Sequence, residues 1–560
     1  MLRLCVRFPI LVVAVAFFVS CSAPADFETL LTGGTIYDGS GETPYVADVG
    51  IRADTIAAIG DLSEFSAAQV KDVSGLAVSP GFINMLSWAI TSLIEDGRSM
   101  SDILQGVTLE IFGEGWSLGP QNDAMKEESI NAQSDIKYDI DWTTLGEYLS
   151  SLERRGISPN VASFIGATTV RIHELKEEDR PPTADELERM KQLVREAMEE
   201  GALGLGSSLI YTPAFYADTE ELIELARVAA EYGGMYISHI RSEGNRLLEA
   251  VDELIEIARE ANIRAEIYHL KAAGQQNWDK LEDVIRRVET ARAEGLAITA
   301  DMYTYTAGST GLDAAMPPWV QEGGYGAWRS RLQDPSIRSR LIEEMSTPTD
   351  EWENLYLAAG AEGMLLVGFR QDSLRYLVGK TLSEAARLRG ASPEETAIDL
   401  VVADSSRVDV VYFLMSEENV RRQIRIPWIS FGSDAGSLNP EGVFLNSQPH
   451  PRAYGNFARL LGKYSRDEGL IPLEEAIRRL TSQPAENLRL DRRGRLAEGY
   501  FADIAIFDPD TIIDHATFDD PHQLATGMIH VWVNGQIVLE NGVHTGATPG
   551  RFVKRAGTGK

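Results

Sequence analysis

From about residue 184 to residue 303 the chain alternates between amphipathic helical stretches and short apolar runs, with a period of about thirty residues. The segment DELERMKQLVREAMEEG places Leu187, Met190, Leu193, Val194 and Met198 on one helical face and stops at Gly201. MYISHI then reads as a strand, NRLLEAVDELIEIAREA as a helix, AEIYHL as a strand and DKLEDVIRRVETARAEG as a helix. Strands joined by helical crossovers are parallel. Eight candidates occur, near 79–85, 107–112, 161–166, 202–206, 235–239, 265–270, 297–303 and 428–433. Eight such strands predict a closed barrel with its chemistry at their carboxyl ends.

The stretch 311–427 is too long for one connection and is broken by Pro, Trp and Gly; it reads as an inserted subdomain followed by the helices before the eighth strand. Both ends of the chain have another texture. TLLTGGTIYDG and ADVGIRADTIAAIG near the start, GYFADIAIFDP and MIHVWVNGQIVLENG near the end, alternate like small antiparallel strands, with Asn534-Gly535 as a hairpin signal. The expected fold is therefore α/β. A (β/α)8 barrel over 80–488, with an insertion near 311–380, is flanked by a small β-sandwich formed from 27–79 and 489–552.

Acidic residues outnumber basic ones by 84 to 52, a formal charge of -32, which repels phosphate backbones and argues against a nucleic-acid partner. Arg3 and Arg7 precede the apolar run FPILVVAVAFFV, too short to span a bilayer and suited to a signal peptide over 1–21. Val19-Ser20-Cys21 follows, resembling a bacterial lipoprotein signal. The expectation is export and tethering through a lipidated Cys21, facing the periplasm or cell exterior; the alternative is an ordinary signal peptide with a chance cysteine. Only Cys5 and Cys21 exist, so no internal disulfide survives processing.

Two of the eight histidines, His239 and His269, stand at the ends of successive strands. Neighbouring strands are ~4.8 Å apart, so the two imidazoles could converge on one ion; the alternative is a pair of hydrogen-bonded core histidines. Glu114, between Gly113 and Gly115 after the second strand, could complete a three-ligand site, or be a solvated loop residue. Asp434, ending WISFGSD on strand eight, could move a proton to and from a metal-activated water, or cap the next turn. Lys271, two residues past His269, shares its side if the strand persists. With Tyr303, Ser309 and Arg452 it would suit an anionic group such as a substrate carboxylate, although each of the four is also common surface or core material.

The stretches SPGFIN, QGVTLEIFGEGWSLGP, YISHIRSEGN, IYHLKAAGQQNW, DMYTYTAGST, FGSDAG, HPRAYGNFARLLGKY and GRLAEGYFADIAIFDP, in this order, resemble the N-acyl-D-amino-acid deacylases (D-aminoacylases) of the amidohydrolase superfamily, from about residue 28 to 552. The resemblance implies zinc-dependent removal of an N-acyl group from a D-amino acid. It makes His239 and His269 the principal zinc ligands, Asp434 the catalytic aspartate, and Lys271, Tyr303, Ser309 and Arg452 the holders of the substrate carboxylate. Two departures stand out. The family's usual first-strand histidine pair is replaced by Leu86 and Trp88, and its ligand cysteine after strand two by Glu114. One zinc per chain, held by Glu114, His239 and His269, is the expected cofactor. The alternatives are a catalytically inactive ligand-binding lipoprotein of the same fold, or the same chemistry on another amide or a dipeptide.

Overall fold

The computed structural model describes residues 25–557, so the expected signal segment and Cys21 lie outside the described residues. Among the described residues no helix is long and apolar enough to cross a membrane.

Eight parallel strands carry the middle of the chain: β1 Phe82–Asn84, β2 Val107–Phe112, β3 Asn160–Ser163, β4 Gly204–Ser208, β5 Met235–His239, β6 Arg264–Ile267, β7 Ile298–Met302 and β8 Ile429–Phe431. All eight fall within or beside the ranges expected from sequence. β1 to β3 pair in one ladder, and β4 to β8 in a second that also takes in Ile165–Gly166, the continuation of β3. Around Phe164 the two ladders join, since Phe164 N–H donates to Phe112 O and Leu203 N–H to Ser163 O. At the other seam Met85 N–H donates to Phe431 O at 3.3 Å and Ser87 bridges Ala435 in parallel. The ring is thereby a barrel, and its mouth is set by the residues just beyond the strands.

The helices between strands form where the pattern placed them. Helix Ala184–Glu200 starts with a capping box, Thr183 with Glu186, and ends at Gly201; it buries Met190, Val194, Ala197 and Met198. Leu247–Glu260 buries Leu247, Val251, Leu254 and Ile257 in the same core. Burying such side chains contributes roughly 1.5–3 kcal/mol each against leaving them in water, before entropy is charged.

The insertion is larger than the sequence indicated. A four-strand sheet, in the order Gly308–Gly311, Asp409–Tyr412, Met364–Gly368, Lys380–Thr381, gives it a core of its own, which also holds Leu382, Ala385, Ala397 and Ile398. Helices Leu382–Arg389 and Pro393–Asp404, read from sequence as barrel helices, thus belong to the insertion. Only Glu417–Ile424 returns to the barrel, through Val420 and Ile424. Amphipathic spacing marks a buried face but not which core buries it.

The terminal segments meet in one nine-strand sheet, eight strands in a continuous path and Ala67–Asp72 beside it. Ala77–Pro80 pairs on one side with Phe27–Ile36 and on the other with Ile504–Phe507, and the path runs on through Met528–Val533 and Gln536–Glu540. The sequence suggested antiparallel pairing, yet Phe27–Ile36 runs parallel to both Ala67–Asp72 and Ala77–Pro80. Asn534 and Gly535 both have positive φ, +48° and +77°, the turn that Asn-Gly favours between antiparallel strands.

Candidate active site

Glu114 reaches the barrel mouth on a turn that needs its glycines. Gly113 (φ +106°) and Gly115 (φ +71°) take left-handed backbone, and a Cβ on Gly115 would lie 2.1 Å from Ser208 Oγ. The carboxylate so placed is buried, and its Oε1 lies 2.9 Å from both His239 Nδ1 and His269 Nε2. One ligand atom from each of the three falls within 4.8 Å of the others, so they could hold a metal ion.

His239 closes β5 as the periodicity suggested. His269 arrives differently: β6 ends at Ile267, and His269 turns into the left-handed region (φ +33°) with its N–H donating to Asp301 Oδ1 at 2.9 Å. Lys271 still reaches the same side, its Nζ 2.8 Å from His269 Nδ1. The turn, not strand alternation, brings it there.

Glu243 joins these groups and was missed from sequence. Its Oε1 accepts from Lys271 Nζ at 2.5 Å and lies 3.0 Å from His269 Nδ1, while Oε2 stands 3.7 Å from His239 Nε2, a buried nitrogen with no hydrogen-bond partner. A histidine that ligates a metal needs a bare nitrogen there and carries its proton on the other. Glu243 is the carboxylate facing that other nitrogen on both rings. It stands four residues past His239 in YISHIRSEGN, beyond the reach of strand periodicity. Behind it, Gly244 N–H donates to Glu353 Oε2 at 3.2 Å, so the insertion braces the loop.

Asp434 follows β8 on a left-handed turn (φ +49°). Beneath it Asn84, Ser433, Glu110 and Asp102 form a buried polar network, with Asn84 Nδ2 donating to Ser433 Oγ at 2.8 Å and Ser433 N–H to Asn84 Oδ1 at 2.8 Å. Asp434 Oδ2 lies 2.8 Å from Arg452 Nη1. Direction is poor for a hydrogen bond, and Arg452 Nε and Nη1 have no bonded acceptor. This buried guanidinium rests over the Tyr303 ring at 4.4 Å with donors to spare for a ligand. His450 Nδ1 accepts from Arg452 N–H at 3.0 Å and fixes the start of its helix.

Leu86 is fully buried in the barrel interior. Trp88 is only half-buried, and its indole N–H points to Glu114 Oε2 at 3.0 Å and Asp434 Oδ1 at 3.2 Å. Leu86 thus fills the barrel, whereas Trp88 faces the cavity and bonds two carboxylates.

Charge in the site is unbalanced. Three carboxylates, Glu114, Glu243 and Asp434, face the two permanent cations Lys271 and Arg452. Burial pulls the His269 imidazole down and Lys271 adds to that, but Glu243, Glu114 and Asp434 outweigh both and push it up to about 10. Burial would raise Glu114, yet His269 and His239 hold it below the usual carboxylate range. Asp434 goes the other way: burial raises it, Arg452 and His269 offsetting part. Such surroundings favour an added positive charge, and two imidazoles with a carboxylate suit zinc. A divalent ion would leave the mouth with a net positive charge, suited to an anionic substrate.

A cavity of about 550 Å3 lies over these groups, walled by Trp88, Tyr211, Tyr303, Ser309, His450 and Tyr412. It continues past Trp116 and Arg407 into a second space of about 1030 Å3 against the insertion. All eight residues singled out from sequence line the first cavity.

The sequence profile described as the amidohydrolase family matches residues 69–539. The chain belongs to this family. Among its relatives, the D-aminoacylase of Alcaligenes xylosoxydans xylosoxydans is 34% identical over 96% of this chain and 99% of its own. The N-acyl-D-glutamate deacylase of the same organism is 31% identical over 94% and 96%. Of solved structures, a D-aminoacylase described as having a binuclear metal centre, activated by one metal and attenuated by the second, aligns with a TM-score of 0.78 at 32% identity, covering 94% of this chain and 100% of that one. The N-acyl-D-glutamate deacylase of Bordetella bronchiseptica, solved with zinc and a phosphonate mimic of the tetrahedral intermediate, aligns at 0.78 and 28% identity, covering 94% and 99%. This amidohydrolase is accordingly a metal-dependent hydrolase with the barrel of its D-aminoacylase relatives.

Proposed function

We propose that this amidohydrolase removes the N-acyl group from N-acyl-D-amino acids, using one zinc ion held by Glu114, His239 and His269. The observation that carries the reading is the meeting of those three ligand atoms beside Asp434, with the unpartnered donors of Arg452 next to it in the same cleft. A bound zinc would polarise the amide carbonyl and lower the pKa of water. The residues of the chain supply the rest. Asp434 accepts the proton from the attacking water and delivers it to the departing amine nitrogen. Arg452 takes the substrate carboxylate through its unpartnered N–H groups, aided by Ser309 and the Tyr303 hydroxyl. Lys271 adds positive charge from the side, most of it balanced by Glu243. Glu243 Oε1, 3.0 Å from His269 Nδ1, can accept the proton of that nitrogen and leave Nε2 bare for the metal.

A panel of N-acyl amino acids in both enantiomers, assayed alongside zinc content, tests this. Expected are about one zinc per chain, its loss in His239→Ala, and turnover restricted to D-substrates. Turnover of L-substrates alone, or full turnover by protein stripped of metal, would refute the proposal. The continuation of the cleft toward Trp116 also favours acyl groups larger than acetyl. Dipeptides with a C-terminal D-residue therefore belong in the panel.

The exported, lipid-tethered state is proposed from residues 1–21 alone. Radiolabelled fatty acid should enter the wild-type protein and not Cys21→Ser, which should leave the membrane fraction.

A further inference from the structure

Two carboxylates on turns that follow different strands, Glu114 and Asp434, point oxygens at one spot beside the two histidines. Glu114 Oε1 faces the histidines and Asp434 Oδ2 lies 2.8 Å from Arg452 Nη1; Glu114 Oε2 and Asp434 Oδ1 are left facing each other across the indole nitrogen of Trp88, at 3.0 and 3.2 Å. Facing carboxylates repel unless a proton, a cation or a donor stands between them. Indole is a donor only: it has no lone pair for a metal and does not give up its proton at working pH. Its ring also occupies the space beside the two oxygens.

Trp88 is held as firmly as it holds. Its backbone N–H donates to Ala435 O at 2.9 Å and Asp434 N–H donates to Leu86 O at 2.8 Å, so the ends of β1 and β8 are stitched together on both sides of the indole. Asp434 itself sits on a left-handed turn outside any strand, where its side chain has no regular lattice to orient it. Of its two oxygens, Oδ2 lies beside Arg452 without a directed hydrogen bond, and Oδ1 accepts from the indole N–H of Trp88.

We infer that Trp88 is a positioning residue which stands in for a second cation: its N–H orients Asp434 Oδ1 toward the reacting water, and its ring closes the centre to more than one ion. The inference rests on the one-zinc reading above. It makes Trp88 responsible for the aim of the proton acceptor and, together with Leu86, for the metal count. It also separates this chain from the D-aminoacylase relative described as attenuated by a second metal.

The test uses the full chain with zinc, measuring metal content after equilibration and gel filtration, and kcat and KM separately. Wild type should hold about one zinc and keep its rate in excess zinc. Trp88→Phe, which keeps a ring but loses the donor, should retain one zinc and its KM while kcat falls by about 10- to 100-fold, the range for a hydrogen bond to a charged group. Benzothienylalanine at position 88, with sulfur in place of the N–H and nearly the same shape, should reproduce the kcat loss and so separate donor from packing. Trp88→His offers a ligand nitrogen beside the same two oxygens; its zinc content should rise toward two, and excess zinc should slow it. If wild type carries two ions, the one-zinc reading itself fails. If it carries one while the benzothienyl variant turns over at full rate, or Trp88→His neither gains zinc nor responds to it, the role assigned to Trp88 is wrong and the one-zinc reading stands.

Discussion

In the proposed mechanism Asp434 has to be a base at working pH although burial favours its neutral form. Replacing it by Asn removes the proton acceptor and keeps the volume; kcat should fall about 10²- to 10⁴-fold while zinc content, read by atomic emission, stays at the wild-type level. The direction of its shift fixes one limb of the pH profile. A raised pKa means that, as pH falls, Asp434 is protonated before an exposed aspartate would be, so kcat/KM should begin to drop at a higher pH than an ordinary carboxylate predicts. Arg452 is the largest influence holding that pKa down. In Arg452→Gln the acid limb should therefore move to still higher pH, and KM should rise with loss of the carboxylate donor. A limb that stays put or moves down in this variant would show that another group controls it.

At the scale of elements, the Gly113-Glu114-Gly115 turn is the most exposed to a small change. Gly115→Ala puts a methyl against Ser208 Oγ at a φ that favours glycine, so Glu114 must shift. Zinc affinity and activity should fall together, with far-UV circular dichroism unchanged, because the turn lies outside the strands. How much of this was legible varies by element. The eight strands and His239 could be read because period-two alternation and helix spacing are local properties. Lys271 was placed on the right side for the wrong reason, since the strand stops at Ile267 and a left-handed His269 redirects the chain. Glu243 escaped because nothing in RSEGN distinguishes a loop carboxylate from one that the fold turns back toward two histidines. Helices Leu382–Arg389 and Pro393–Asp404 were assigned to the barrel because a helix face does not name its partner. Leu86 and Trp88 looked alike as losses of histidine; only the geometry divides a core side chain from one that bonds two carboxylates.

Across the whole molecule, the terminal sheet is joined to the barrel by a buried polar knot. Arg493 pairs with Asp503 and donates to Asn534 Oδ1 at 3.0 Å; Asn534 N–H donates to Asp503 Oδ1 at 2.7 Å, and its Nδ2 to Asn160 Oδ1 on β3 at 2.7 Å. Removing one partner leaves a buried charge uncompensated, so Arg493→Ala should cost on the order of 3 kcal/mol and lower the urea midpoint; Arg492→Ala, more exposed next door, should not. The same sheet has a consequence for how the protein is made. Strand Ala77–Pro80 is translated early, yet the strand that completes it, Ile504–Phe507, emerges more than 400 residues later. Until then the nascent polypeptide carries an unsatisfied edge and an unclasped barrel. A chain whose first and last pieces interlock in this way is obliged to finish synthesis before it can lock, and any truncation short of Phe507 leaves the opening strands without their mate.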